Sequence, residues 1–238
     1  MMQRAIARNA PAKRPARRTP ADREALALRP GAPRIGLLGG SFNPPHDGHL
    51  HLSRLALQHL GLHELWWLVT PQNPLKPVRG MAPLPARLAA ARAFARDPRI
   101  RVTDIEKRLG TRFTLDTVRA LKHRFPRAHF VLVIGADNFI QLPAWRGWTR
   151  LMREVPVAVF DRPSYSDSAL DGAAAERFAR RRIDPEQARG LAYRKPPAWV
   201  FFRTALHPSS STALRQRRAE RERRMRLGEG TTTQGRAT

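Results

Sequence analysis

From Ile35 onward, short apolar runs alternate with longer stretches of helical composition, an order that few architectures accommodate. The runs Ile35–Leu38, Leu65–Val69, Ile100–Ile105, Phe130–Ile134, Val155–Phe160 and Trp199–Arg203 read as strands. Segments 47–60, 85–96, 114–124, 173–182 and 211–226 read as helices, and Leu52, Leu55, Ala56 and Leu60 have the spacing of one helix face. Strands separated in this way by helices form a mostly parallel sheet covered on both faces. The expectation is therefore an α/β protein with a doubly wound sheet. One folded unit is expected over 34–227, after a basic, disordered extension over 1–33 and before a mobile Gly/Thr-rich tail over 228–238. Such sheets bind ligands beyond the carboxyl ends of their strands, near a reversal of strand order, so strings directly after strands carry the functional information.

Composition narrows the chemistry. The chain has 238 residues and no cysteine, which excludes disulfides, thiolate zinc sites and cysteine nucleophiles. No apolar run approaches the ~18 residues of a membrane span, and no membrane partner is expected. With 44 Lys+Arg against 19 Asp+Glu, the net charge of +25 first suggests a polyanionic partner. Yet 39 of those 44 are Arg, in a chain also rich in Ala and Pro, as GC-rich codons produce. Residues 1–34 hold nine basic and two acidic residues, and 213–238 hold eight and three, so nearly half of the excess lies at the two ends. No specific nucleic acid is expected. A nucleic-acid-binding protein on a degenerate nucleotide fold is the rival of another class, and it predicts steeply salt-dependent binding.

The first predicted strand runs into GGSFNPPHDGHL, residues 39–50. Gly39 and Gly40 allow close backbone approach to a ligand, and Ser41 and Phe42 continue the loop. His46 and His49 stand three apart at a helix opening, which puts both imidazoles on one side. Helix N-termini add free N–H groups and positive potential, so the segment suits phosphate. Two such histidines could also ligate a metal, although no third ligand is evident nearby. After the last strand, HPSSSTALR offers Ser210, Ser211 and Thr212 as N-cap groups, with Arg215 one turn in, a second anion cradle.

Two further strings follow strands. In TPQNPLKP, Asn73 and Lys76 could close over phosphates. In GADNFIQLPAWRGW, Asp137 ends an apolar strand where a carboxylate can accept ribose hydroxyls, and Trp145 offers a flat face for a planar ring, while Trp148 reads as core. Thr114, at the start of the 114–124 helix, reads as its cap.

The string PPHDGHL resembles the H-x-G-H signature of the nucleotidyltransferase superfamily, which has a Rossmann-like fold, and SSTALR resembles its S-S-T-x-x-R motif. With GAD and the later Trp, the chain over about 34–217 resembles the nicotinate-nucleotide adenylyltransferases. The resemblance implies transfer of the adenylyl group of ATP to nicotinate mononucleotide. It implies His46, His49 and Arg215 as catalytic, with Gly39, Gly40, Ser41, Phe42, Lys76, Ser210, Ser211 and Thr212 on ATP and its phosphates. Asn73, Thr114, Asp137 and Trp145 would bind the mononucleotide, Trp145 by stacking on the pyridine ring. Mg²⁺ is expected with ATP, with no protein ligand named, and the implied compartment is the cytoplasm. Where the family has Ser-Tyr-Thr near the nicotinate carboxylate, this chain has Arg112-Phe113-Thr114. Nicotinamide mononucleotide or another phosphorylated acceptor is the alternative within the same chemistry.

Overall fold

A computed structural model describes residues 32–71, 80–162, 165–204 and 220. Asn73, Lys76, Ser210, Ser211, Thr212 and Arg215 lie outside these residues, as does the expected 211–226 helix apart from Glu220. The elements are β1 (Arg34–Gly40), α1 (Asp47–His59), β2 (Glu64–Val69), α2 (Leu84–Phe94), β3 (Ile100–Thr103), α3 (Ile105–Leu109), α4 (Thr114–Arg124), β4 (His129–Gly135), α5 (Ala136–Gln141), α6 (Trp148–Glu154), β5 (Val157–Phe160), α7 (Ser166–Leu170), α8 (Ala173–Arg177), β6 (Arg182–Ile183) and β7 (Trp199–Phe202). Turns of 3₁₀ type occupy Leu142–Ala144, Ala179–Arg181 and Pro185–Tyr193.

The strands form one sheet in the order β3-β2-β1-β4-β5-β7-β6, and every pairing is parallel. Alternate residues face opposite layers, as a pleated strand requires. In β2, Trp66 and Leu68 join one apolar cluster while Leu65, Trp67 and Val69 join the other. The first cluster is closed by α3 to α8, through residues such as Ile105, Val118, Phe139 and Leu151. The second is closed by α1, α2 and the 185–193 turns, through Leu52, Ala56, Leu88 and Leu191. Gly36 is glycine because the layers meet tightly there: a Cβ would run into the side chains of Leu65 and Leu62.

The expected strands all form, the one expected from Val155 beginning at Val157, and two further differences in extent, one in a strand and one in a helix, have local causes. The run Ile100–Ile105 is strand only to Thr103. Asp104 takes the N-cap position of α3, and Ile105 reaches the core from the helix instead. The helix expected over 173–182 stops at Arg177, because Arg182 and Ile183 pair with β7 as an edge strand. Helices α3, α5, α6 and α7 run only five to seven residues, too short to show a helical period in sequence.

Strand order reverses between β1 and β4. β2 and β3 lie beyond β1 on one side, and β5, β7 and β6 beyond β4 on the other. Pairing of β1 with β4 runs from Arg34↔His129 to Leu37↔Leu132. β1 stays paired with β2 as far as Gly40↔Val69. Past Leu37 the two central strands therefore carry no mutual pairing, and a crevice opens at their carboxyl ends.

Candidate active site

The crevice is a pocket of about 250 Å³. Leu38, Gly39 and Gly40 form its β1 wall, and Leu132, Val133 and Ile134 its β4 wall. Thr70 arrives from the end of β2, Arg112, Phe113 and Thr114 from the start of α4, and Asn138, Trp145 and Arg146 from the segment after β4. A Cβ on Gly39 would meet nothing within 4 Å, and its φ is not positive, so neither packing nor backbone conformation demands glycine there. The bare backbone at Gly39 leaves the pocket wall open to close approach by a ligand.

Beside this wall begins α1, with His46 as its N-cap and His49 as its third residue. The two imidazole centroids are 3.8 Å apart. The backbone N–H of His46 donates to His49 Nδ1 at 3.2 Å. In the neutral ring this puts the proton on Nε2, which becomes the donor. The His49 ring also packs against Phe42 at 4.7 Å, and Phe42 stacks on Trp67 at 4.7 Å. Trp67 Nε1 donates to Ser53 Oγ at 2.8 Å, and Ser53 Oγ donates to the His49 carbonyl at 2.6 Å. The first turn of α1 is thus fastened to the sheet core through a buried hydrogen-bond chain. Phe42 itself is 1% exposed and has φ +46, so its side chain belongs to packing and only its backbone can meet a ligand. A helix start with two imidazoles is an arrangement able to stabilise negative charge on an anion.

The opposite wall is built from other elements. Trp145 is half-buried, packed against the core by one side and lining the pocket. Trp148 is partly buried, packs edge-on against Phe178 and lies against the core, not within it. Thr114 lines the pocket as the first residue of α4, whose N-cap is Phe113, so Thr114 does not cap the helix as expected. Asp137 is held by Arg162, whose Nη1 donates to its Oδ2 at 3.0 Å. Asp137 Oδ1 is buried and makes no hydrogen bond among the described residues, leaving one acceptor for a hydroxyl. Gly135 permits this arrangement, since a Cβ would lie 2.5 Å from that oxygen. The pocket wall at this point is Asn138 rather than Asp137.

Several contributors carry no mark in the sequence. Glu106 lies in the pocket wall, buried, and accepts from Thr117 Oγ1 at 3.4 Å. Burial pushes its carboxyl up to about 7. Arg146 lies over the Phe113 ring at 4.6 Å and Arg112 over the same ring at 5.8 Å, which brings two exposed cations to one rim. The sequence distinguishes Arg112 only as a departure from the family string, and Arg146 and Arg162 not at all, because arginine is abundant throughout. Among the described residues no group of three His, Asp or Glu gathers to hold a metal ion, and no helix is long and apolar enough to cross a membrane.

Residues 37–217 match the cytidylyltransferase-like family. Curated relatives named probable nicotinate-nucleotide adenylyltransferase are 49% identical over 190 residues in Parvibaculum lavamentivorans, covering 80% of this chain and 94% of the relative. They are 51% identical over 181 residues in Cereibacter sphaeroides, covering 76% and 96%. In Methylorubrum extorquens they are 51% identical over 184 residues, covering 77% and 100%. Among solved structures, a Plasmodium falciparum nicotinic acid mononucleotide adenylyltransferase complexed with APC has a TM-score of 0.56 at 16% identity. The same enzyme complexed with NaAD also gives 0.56, at 18% identity. Both cover 77% of this chain and 83% of theirs, and at such identities the likeness is one of fold.

Proposed function

We propose, from the premise that this chain belongs to the nicotinate-nucleotide adenylyltransferases of the cytidylyltransferase-like family, that the crevice between β1 and β4 is where its two substrates meet. The protein transfers the adenylyl group of ATP to nicotinate mononucleotide in the biosynthesis of NAD. An oxygen of the 5′-phosphate forms a bond to the α-phosphorus of ATP. The bond from that phosphorus to the α,β-bridging oxygen breaks, pyrophosphate leaves, and nicotinate adenine dinucleotide forms. The attacking phosphate is already ionised, so catalysis consists of positioning and of stabilising charge.

The observation that carries this reading is the pairing of the apolar, Trp-lined pocket with the histidine-bearing helix start next to it. Gly39 and Gly40 give the nucleotide close access to the backbone. His49, with Nε2–H as donor, and His46 stabilise charge on the α- and β-phosphates as the bond to the leaving group lengthens. Trp145 stacks on the pyridine ring and Thr114 lies toward its carboxylate, while Asp137, behind the wall residue Asn138, has Oδ1 as the acceptor for a ribose hydroxyl. Arg112 and Arg146 at the rim favour a carboxylate over an amide. On motif alone, Arg215 with Ser210, Ser211 and Thr212 takes the departing pyrophosphate, and Asn73 and Lys76 approach the nucleotide. Mg²⁺ would enter with ATP and would neutralise phosphate charge, with no protein ligand assigned to it. The place of action is the cytoplasm, where the membrane retains such charged nucleotides.

Pyrophosphate release tests the proposal. It is expected only when ATP and nicotinate mononucleotide are both present, and more slowly with nicotinamide mononucleotide. Release from ATP alone, or none with either acceptor, together with salt-sensitive binding to DNA or RNA, defeats it in favour of a nucleic-acid binder.

A further inference from the structure

We propose that Arg87 is a positioning residue for the transfer, whose guanidinium holds the backbone after β1 and after β2 at the separation the phosphate chemistry needs. This rests on the adenylyl-transfer reading above. Arg87 lies in the first turn of α2, outside the pocket, and is 3% exposed. Its Nε donates to the carbonyl of Ala82, Nη1 to those of Ser41 and Thr70, and Nη2 to that of Pro71, each at 2.8 Å. Ser41 follows directly on Gly40, and Gly40 and Thr70 line the pocket. Thr70 also donates its backbone N–H to the Gly40 carbonyl at 3.0 Å. Asn43 adds a parallel tie, donating to the Gly80 carbonyl at 3.0 Å and accepting from the Ala82 N–H at 3.2 Å. One cation thus gathers three stretches of main chain that are far apart in sequence.

The chemistry of the contacts favours positioning over mere filling of space. All four acceptors are carbonyls, and no carboxylate among the described residues pairs with Arg87. Burying a cation without a counter-ion is unfavourable, and an apolar side chain of similar length would fill the space more cheaply. Burial lowers the pKa of Arg87 from its ordinary value, yet a guanidinium remains protonated near neutrality. Its planar fork reaches acceptors in several directions at once, whereas the ammonium of lysine donates from a single point. The same buried charge lies under the loop that bears the histidines, where substrates are anionic.

The test uses Arg87→Lys and Arg87→Met in the full chain, with steady-state kinetics and hydrogen exchange read by peptide. Expected is a fall in kcat of about 100-fold in both variants, with KM for nicotinate mononucleotide changed by less than about threefold. Exchange is expected to rise at residues 39–43 and 69–71 while β4 keeps its protection. A lysine variant with kcat within about threefold of wild type, or a kcat loss without faster exchange in those two segments, overturns the proposal. If β4 loses protection together with the loops in both variants, Arg87 supports the whole fold and the positioning role is equally overturned. A wild-type protein that releases no pyrophosphate with both substrates defeats the transfer reading instead.

Discussion

After β1 the chain spends six residues, Ser41 to His46, before α1 begins; after β4 it enters α5 with none. The first exit is braced from beneath: His49 packs at a tilt against Phe42, Phe42 stacks on Trp67, and Ser53 ties the helix to the strand. Its backbone is further held by Arg87 and by Thr70. The second exit is assembled from segments distant in sequence, with Thr114, Asn138 and Trp145 meeting across short helices. The first exit suits the place where charge changes during reaction, since stabilising a transition state requires donors that do not reorganise. The second suits recognition, in which a flat ring and a few polar groups select a ligand.

If this division holds, the largest effect belongs to the braced exit. His49→Ala is expected to lower kcat by roughly 100- to 1,000-fold while thermal unfolding stays near wild type, because one preorganised donor is lost. Turnover close to wild type in a pyrophosphate-release assay would remove His49 from catalysis. Next comes Glu106, in the wall of the assembled exit. Its folded-state carboxyl titrates at about 7 against an ordinary 4.5, raised by burial. Between those values the folded protein holds a proton that the unfolded chain has lost, so stability falls as pH rises through the window and levels off above it. The loss is on the order of 3 kcal/mol. Glu106→Gln is expected to flatten this slope, so its stability relative to wild type should grow between pH 5 and pH 8 in urea unfolding. Parallel profiles for the two proteins would mean that Glu106 ionises normally.

Trp145→Ala probes recognition directly. About tenfold higher KM for nicotinate mononucleotide is expected, with KM for ATP little changed, from the loss of one aromatic stacking contact. A selective loss of ATP binding would place the ring on the other substrate and blur the contrast between the exits. The smallest effect is expected for Arg112→Ser, because the group is solvent-exposed. The preference for nicotinate over nicotinamide mononucleotide should fall by about two- to fivefold, the range for a screened surface charge. An unchanged ratio in competition assays would assign the discrimination to Arg146 or to the backbone.

The same contrast explains what could be read in advance. GGSFNPPHDGHL is contiguous, and its strand, turn, helix opening and two imidazoles follow from local rules. Every strand but the two-residue β6 was legible because apolar runs buried on both faces show up as such, and α1 and α4 because they are long enough to show a period. Glu106, Arg146, Arg162 and Arg87 were not legible. Their residue types are ordinary in this chain, and what distinguishes them is burial or a partner far away in sequence. Arg87 illustrates the limit: in sequence it is one of 39 arginines, and in the fold it joins residues 41, 70, 71 and 82.

The sequence by itself determined the class of fold, the strand exits, and the glycines and paired histidines gathered at the first of them, because those depend on periodicity and on neighbours within a few positions. Only the tertiary structure decided that the crevice opens past Leu37 and Leu132, that Asp137 pairs with Arg162, and that two arginines stand at the rim. Those outcomes depend on which strands become neighbours and how far they stay paired. That is settled by closing both apolar layers of the sheet at once, a condition no local window of the chain contains.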